Sequence, residues 1–310
     1  MTGRSSKLTW LLILAVFWCL PVPGWAGVVR MEDDSGQTIV FERPFTRIIS
    51  LYGAHTENLF ALGLDKEIIG VTRHEVYPPE ALAKPAFHYR DGPEKFIAAR
   101  PGLILIRPMI FRGYNQLVTR LTQAGIAVVS LQPTSVKGIF DYWRKLGALT
   151  GRTEQAEKMV SEFKKGVAAL KALTADIPLA KRKKVFFESI HSKMKTFAPH
   201  STAVFALESA GGVNLAADAE AVRSSNIAAY GKERILSKAA QIDVYLAQKG
   251  PMNKINPKTI REEPAFKAIK AVRENRVCTI DEQIVSRPTL RLLKGIEAIG
   301  RILYPDRFRP

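Results

Sequence analysis

Thr153-Glu-Gln-Ala-Glu-Lys-Met-Val-Ser-Glu-Phe-Lys-Lys-Gly-Val-Ala-Ala-Leu-Lys-Ala-Leu-Thr-Ala175 lies at the middle of a 310-residue chain and decides how the rest is read. Thr153 is a candidate N-cap. Glu154 and Glu157 occupy the first turns and Lys164, Lys165 and Lys171 follow, a polarity that suits the helix dipole. Apolar side chains at Ala156, Met159, Val160, Phe163, Val167, Leu170 and Leu173 recur every three or four positions, the stripe of an amphipathic helix. The pattern predicts a helix over 154–175 that ends before Pro178. Its weak point is Gly166, since a mid-helix glycine costs roughly 1 kcal/mol against alanine. A long helix between two halves is a stiff connector: the flanking lobes can tilt slightly but not close widely.

Working outward, short apolar runs alternate with amphipathic stretches on both sides. Before the helix, strands are predicted at 48–51, 68–71, 103–106 and 127–131, with helices at 56–62, 93–99 and 114–124, the last closed by Gly125. Unbroken runs such as Leu103-Ile-Leu-Ile106 suit strands buried on both faces, and a βαβ series calls for a parallel sheet covered by helices. After the helix come predicted strands at 184–188, 244–247 and 276–280, and helices at 201–210, 232–239, 257–271 and 288–303. The fold class is therefore α/β: two α/β lobes with mostly parallel central sheets joined by one long helix. The divisions are 27–151 for the first lobe, 152–176 for the connector and 177–310 for the second lobe.

Residues 1–26 have the pattern of a cleavable export signal. Arg4 and Lys7 precede an uncharged run from Leu8 to Leu20, then Pro21, Pro23 and Gly24 lead to Ala26. The run is too short to cross a hydrocarbon core of ~30 Å, which disfavours an uncleaved anchor. Cys19 raises lipidation, but Val16, Phe17 and Trp18 before it are too bulky. The expectation is cleavage after Ala26 and a soluble periplasmic protein. Cys19 would leave with the signal, so Cys278 remains alone; neither an internal disulfide nor a Cys–His metal site can form, and stability must come from core burial. The excess of 46 Lys+Arg over 29 Asp+Glu gives a net charge of +17, or +15 without Arg4 and Lys7. Such a balance raises nucleic acid as a partner, which an exported protein does not meet. No G-x-S-x-G, H-E-x-x-H or P-loop spacing occurs, and the five histidines are scattered, so neither an enzyme nor a resident metal is expected.

Six segments, in order, carry a resemblance. They are Arg47-Ile-Ile-Ser-Leu-Tyr-Gly-Ala-His-Thr-Glu-Asn-Leu-Phe-Ala-Leu-Gly-Leu64, Ile69-Gly-Val-Thr72 with Tyr77-Pro-Pro79, and Glu94-Lys-Phe-Ile-Ala-Ala-Arg-Pro-Gly-Leu-Ile-Leu105. Ala210-Gly-Gly-Val-Asn214, then Glu233-Arg-Ile-Leu236 with Ile242-Asp-Val244, then Arg287-Pro-Thr-Leu-Arg291 complete the series. Together they resemble the periplasmic substrate-binding proteins of ABC importers for iron–siderophores, haem and cobalamin, with Gly102 where an Asp is usual. The resemblance spans nearly the whole chain after residue 26. It implies two α/β lobes on one long helix, a ligand cleft between them, no chemistry and no cofactor of the protein's own, and a permease dimer in the inner membrane as partner. It also implies that Glu94 and Glu233, one per lobe, meet arginines on the two permease subunits; the local alternative is that each stabilises a first helical turn.

Ligands of open α/β folds sit at the carboxyl ends of strands. That rule selects Tyr52 after the first strand, His74 after the second, Arg107 and Arg112 after the third, Tyr89 and Arg90 before Glu94, His191 after a second-lobe strand, and Arg287 before the last helix. Guanidinium forks hold carboxylates or catecholates bidentately and tyrosine stacks or donates, so an anionic, oxygen-rich ligand, a ferric siderophore, fits first. Haem is the alternative, with Tyr89, Arg90 or His88 near its iron and propionates. Cobalamin clefts in such proteins are richer in tryptophan, whereas Trp143 reads as core. A periplasmic haem or metal chaperone or a signalling relay is the other alternative. A monomer is expected.

Overall fold

The computed structural model describes residues 27–222 and 225–309; the export-signal reading, Cys19 included, lies outside the described residues. The first lobe is built on a five-stranded, wholly parallel sheet in the order Ala86–Phe87, Ile68–Thr72, Ile48–Ser50, Leu103–Ile106, Ala127–Ser130. Ile48, Ile49, Leu103, Ile104 and Leu105 are fully buried, which is why their runs read as continuously apolar. From the central Ile48–Ser50 the chain leaves toward one edge of the sheet, and from Leu103–Ile106 toward the other. These two adjacent strands therefore flank the switch point, where a crevice opens beyond their carboxyl ends.

The second lobe holds a mixed seven-stranded sheet. Its parallel part is Lys184–Ile190, Val244–Lys249 and Val277–Asp281, with Val213–Asn214 beside the first. Lys195–Phe197, Ile227–Ala229 and Glu220–Ala221 extend it antiparallel. These added strands are two or three residues long, too short to show a period in sequence.

Between the lobes runs the helix Thr153–Ala172, with Ala156, Met159, Val160 and Phe163 buried. It starts with Thr153 inside the first turn instead of capping it, and stops three residues short of the predicted end. Gly166 marks a close approach: a Cβ there would lie 2.7 Å from Leu293 Cδ1 on the last helix, Leu292–Leu303. One apolar cluster joins Leu59 and Trp143 of the first lobe, Phe163 of the connector, and Phe187, Val204 and Ile296 of the second. Phe163 packs edge-on to Trp143 at 5.5 Å and near-parallel to Phe205 at 6.4 Å. The lobes thus share a core as well as a connector.

Two predicted elements are corrected. The helix expected over 257–271 is broken into Pro257–Glu262, a 3-10 turn Phe266–Ala268 and Lys270–Arg273, because Pro264 cannot continue it and Ala265 turns left-handed at φ 71°. The final helix begins at Leu292, not 288; the carbonyl of Pro288 instead accepts from Asn58 Nδ2 at 3.0 Å and Trp143 Nε1 at 3.3 Å in the other lobe. Helices Pro108–Gly113 and Glu282–Ser286, and the hairpin Val29–Glu32 with Thr38–Phe41, were not anticipated; Trp143, which reads as core, lies buried on the helix Val136–Thr150.

Candidate ligand cleft

Arg107 stands directly after one of the two strands that flank the switch point, and Tyr52 two residues after the other. Tyr52 is held in place as the residue before the helix Gly53–Ala61, its carbonyl accepting from the amides of His55 at 2.8 Å and Thr56 at 3.1 Å. The guanidinium of Arg107 lies over the Tyr52 ring, 4.5 Å from its centroid. Arg107 Nε is buried and has no hydrogen-bond partner among the described residues. Burial pushes the Tyr52 hydroxyl upward, opposed by the charges of Arg107 and Arg287. A buried cationic donor left unpaired is costly, and an anion placed against it would relieve that cost.

Arg107 and Arg112 line one cavity of about 680 Å³, and Ser225 and Asn226 of the second lobe belong to the same lining. Its wall also carries Asp34 and Lys145, joined by an ion pair of 3.1 Å. Beneath it, His55 Nε2 donates to the carbonyl of Ile106 at 3.1 Å, which leaves Nδ1 to accept from the Tyr142 hydroxyl at 2.7 Å. Burial lowers this imidazole to about 4, so it is neutral and structural.

The remaining residues selected from sequence fall into three other places. His74, His88, Tyr89 and Tyr114 form a row of rings at successive centroid distances of 6.2, 4.1 and 4.7 Å along the first lobe's rim, with Arg90 Nε donating to the Tyr114 hydroxyl at 3.1 Å. Tyr89 and Arg90 line a cavity of about 620 Å³ that Arg107 does not reach. His74 shares a third cavity with Lys249, Pro251 and Lys254 of the second lobe. His191 is buried, its Nδ1 2.8 Å from Glu188 Oε2 and its Nε2 3.5 Å from Glu263 Oε2; the Glu188 hydrogen bond raises the imidazole, against burial. Tyr245 also donates to Glu188, and Lys232 pairs with Glu263.

Arg287 is spoken for within the protein. Its Nη1 donates to Glu57 Oε1 across the lobe boundary at 2.7 Å, while Arg291 takes Oε2 at 3.1 Å. Glu94 and Glu233 are both exposed near helix starts, on Pro93–Ala99 and Lys232–Ser237; Glu94 has one loose partner, Arg120 at 3.8 Å. Among the described residues, no group of three or more His, Cys, Asp or Glu side chains is placed to hold a metal ion, and no helix is long and apolar enough to cross a membrane.

Asp34, Lys145 and Tyr114 escaped the sequence reading. For Asp34 a signal existed: Asp33-Asp34-Ser35-Gly36 is turn chemistry between two alternating segments, and it folds as the tip of the N-terminal hairpin. Lys145 and Tyr114 lie on or beside helices, where nothing in spacing separates a cleft residue from a surface one.

Residues 48–284 match the profile of the family described as "Periplasmic binding protein". The chain is 24% identical over 284 residues to an uncharacterised ABC transporter substrate-binding lipoprotein, YvrC, of Bacillus subtilis, covering 91% of this chain and 87% of that one. It is 25% identical over 261 residues to the vitamin B12-binding protein of Vibrio cholerae, covering 83% and 88%. A possible iron-binding, periplasmic solute-binding protein from Staphylococcus epidermidis superposes with a TM-score of 0.73 at 26% identity, over 84% of this chain and all of that one. A profile match over most of the chain, laid on two α/β lobes that share one long helix and meet at a switch-point cleft, makes this chain a member of the periplasmic binding protein family.

Proposed function

We propose that this protein captures an anionic iron chelate, a ferric siderophore, in the cleft between its lobes and delivers it to an ABC permease dimer in the inner membrane. The observation that carries the proposal is Arg107: a guanidinium at the switch point, stacked on Tyr52 and lining a cavity to which both lobes contribute. Arg112 adds a second cation to the same wall. Bidentate recognition of carboxylate or catecholate oxygens is the chemistry such groups serve best. The protein works as a monomer in the periplasm, supplies no cofactor and performs no reaction; the iron is cargo.

Haem is the second reading, favoured by the row His74, His88, Tyr89 and Tyr114 beside Arg90, which offers flat rings, candidate iron ligands and a cation in one place. Cobalamin draws support from the name of the Vibrio cholerae relative. Trp143, however, is fully buried and bonded to Pro288, so it presents no ring to the cleft.

The test is titration of the purified protein with ferric tris-catecholate, ferric trihydroxamate, ferric citrate, haemin and cobalamin, followed by absorbance and tryptophan quenching. Micromolar or tighter binding of an anionic ferric chelate supports the proposal; saturable binding of cobalamin or haemin alone would replace it.

A further inference from the structure

The cleft that carries the proposed function contains an acid that the cationic logic does not explain. Asp34 sits at the tip of the N-terminal hairpin, and the hairpin is fastened to the end of the sheet's edge strand. Asp33 Oδ2 accepts from the Ser130 amide at 2.9 Å, and the Asp34 amide donates to the Ser130 carbonyl at 2.8 Å. The same docking places the Asp34 carboxylate in the wall of the 680 Å³ cavity. There Oδ2 accepts from the Gln132 amide at 2.6 Å and Oδ1 pairs with Lys145 Nζ at 3.1 Å. Both side chains of that pair are 29% exposed, so they are partly shielded and still in view of the cavity.

The ionised groups on this wall are Arg107, Arg112 and Lys145 against Asp34 and Asp141. Asp141 reaches Arg144 at 3.4 Å, but that guanidinium is forked on Glu157 at 2.6 and 3.2 Å, so Asp141 keeps charge of its own on the wall. Asp34 has Lys145. With Asp34 and Lys145 cancelling, the wall carries Arg107 and Arg112 against Asp141, a net charge of +1. We infer that Asp34 is a specificity-determining residue of the cleft: by cancelling Lys145 it holds the wall to a small net positive charge and so disfavours chelates of high negative charge relative to neutral or weakly anionic ones. The inference rests on the proposal that this cavity holds a metal chelate. Its physical basis is that a fixed charge on a partly desolvated wall acts on each charge of the ligand, so its effect on a trianion is about three times that on a monoanion and absent for a neutral complex.

The experiment compares one neutral ferric trihydroxamate with one trianionic ferric tris-catecholate of similar size, titrated into wild type, Asp34→Asn, Lys145→Met, the double variant and Arg107→Ala. The Asp34→Asn change preserves the side chain's shape and keeps an oxygen for the Gln132 amide, and Lys145 has no backbone duty, so fold is preserved in at least one arm. Asp34→Asn is expected to shift the affinity ratio toward the trianion by ~10-fold or more, and Lys145→Met to shift it the opposite way by a similar factor. The double variant returns near the wild-type ratio. If Arg107→Ala weakens chelate binding while the ratio stays within two-fold in both single variants, the role of Asp34 is overturned and the cleft reading stands. If wild type binds neither chelate, the cleft reading itself fails and takes this inference with it.

Discussion

Arg287 of the second lobe and Glu57 of the first are joined at 2.7 Å across the lobe boundary, and Glu57, only 2% exposed, gives its second oxygen to Arg291 at 3.1 Å. A carboxylate buried this deeply is sustained by both partners together. The connecting helix is thus one of three restraints on the lobes, with this clasp and the shared apolar core. Replacing Glu57 by Ala removes the closest carboxylate from two largely desolvated guanidiniums, leaving Arg287 only Glu75 at 3.9 Å and Arg291 only Gln283 at 3.2 Å, and a loss of about 3–5 kcal/mol is expected in urea unfolding. In wild type the scattering radius should change little when ligand binds. A large ligand-dependent compaction would show that the restraints do not hold.

Gly53 opens the helix that presents Glu57, and a Cβ there would stand 2.5 Å from Arg287 Nη1. Alanine normally improves a helix by roughly 1 kcal/mol over glycine. Here Gly53→Ala should destabilise instead, because it displaces the guanidinium from Glu57. In a Glu57→Ala background the penalty should shrink or reverse, which a double-mutant cycle by chemical denaturation measures.

Acid should weaken the fold through His55. Its ordinary value of 6.5 falls to about 4 in the folded state, because burial opposes the charged form. Between these values the unfolded chain takes up a proton that the folded chain refuses, so stability falls as pH drops from 6.5 toward 4, by on the order of 3 kcal/mol in total. Urea midpoints across that range should slope less in His55→Gln than in wild type.

His191 acts with the opposite sign. The Glu188 hydrogen bond raises it, with Glu263 adding to the effect and burial opposing it. Its contribution is complete below the unfolded value and is lost as pH rises through the folded one. An NMR titration of the His191 ring should show a midpoint above that of a free histidine, moving down in Glu188→Gln. A midpoint that ignores Glu188 would contradict the assignment.

Much of this architecture is legible in the sequence because burial leaves a period. The connector declares itself by its stripe from Ala156 to Leu170, and the first lobe's strands by apolar runs with no polar face. What stayed hidden has no period to show. The antiparallel strands of the second lobe are two or three residues long. Residue order locates strand ends, so the placement of Tyr52 and Arg107 beside the switch point could be read in advance. Sequence cannot say which cation already has a partner. Arg287 reads as a free arginine after a loop, yet its carboxylate lies 230 positions away at Glu57.

The exposed Glu94 and Glu233 supply a test of delivery separate from capture. Alanine at either position should leave chelate affinity within two-fold of wild type and abolish uptake by a reconstituted permease, and a change to Arg should be worse, since two carboxylates on a basic body fix orientation on a cationic receptor. Equal loss of binding and uptake, or normal transport by the double variant, would return both residues to a role in their own helix starts.

The proposed capture turns on Arg107. The most direct measurement is the dissociation constant of an anionic ferric tris-catecholate for wild type, Arg107→Ala and an exposed control, Arg301→Ala, determined by fluorescence quenching at fixed ionic strength. Loss of a desolvated guanidinium from an anion costs ~2–5 kcal/mol, so Arg107→Ala should bind at least 30-fold more weakly while Arg301→Ala matches wild type. Equal affinity in Arg107→Ala and the control would contradict the placement of the ligand in the switch-point cleft.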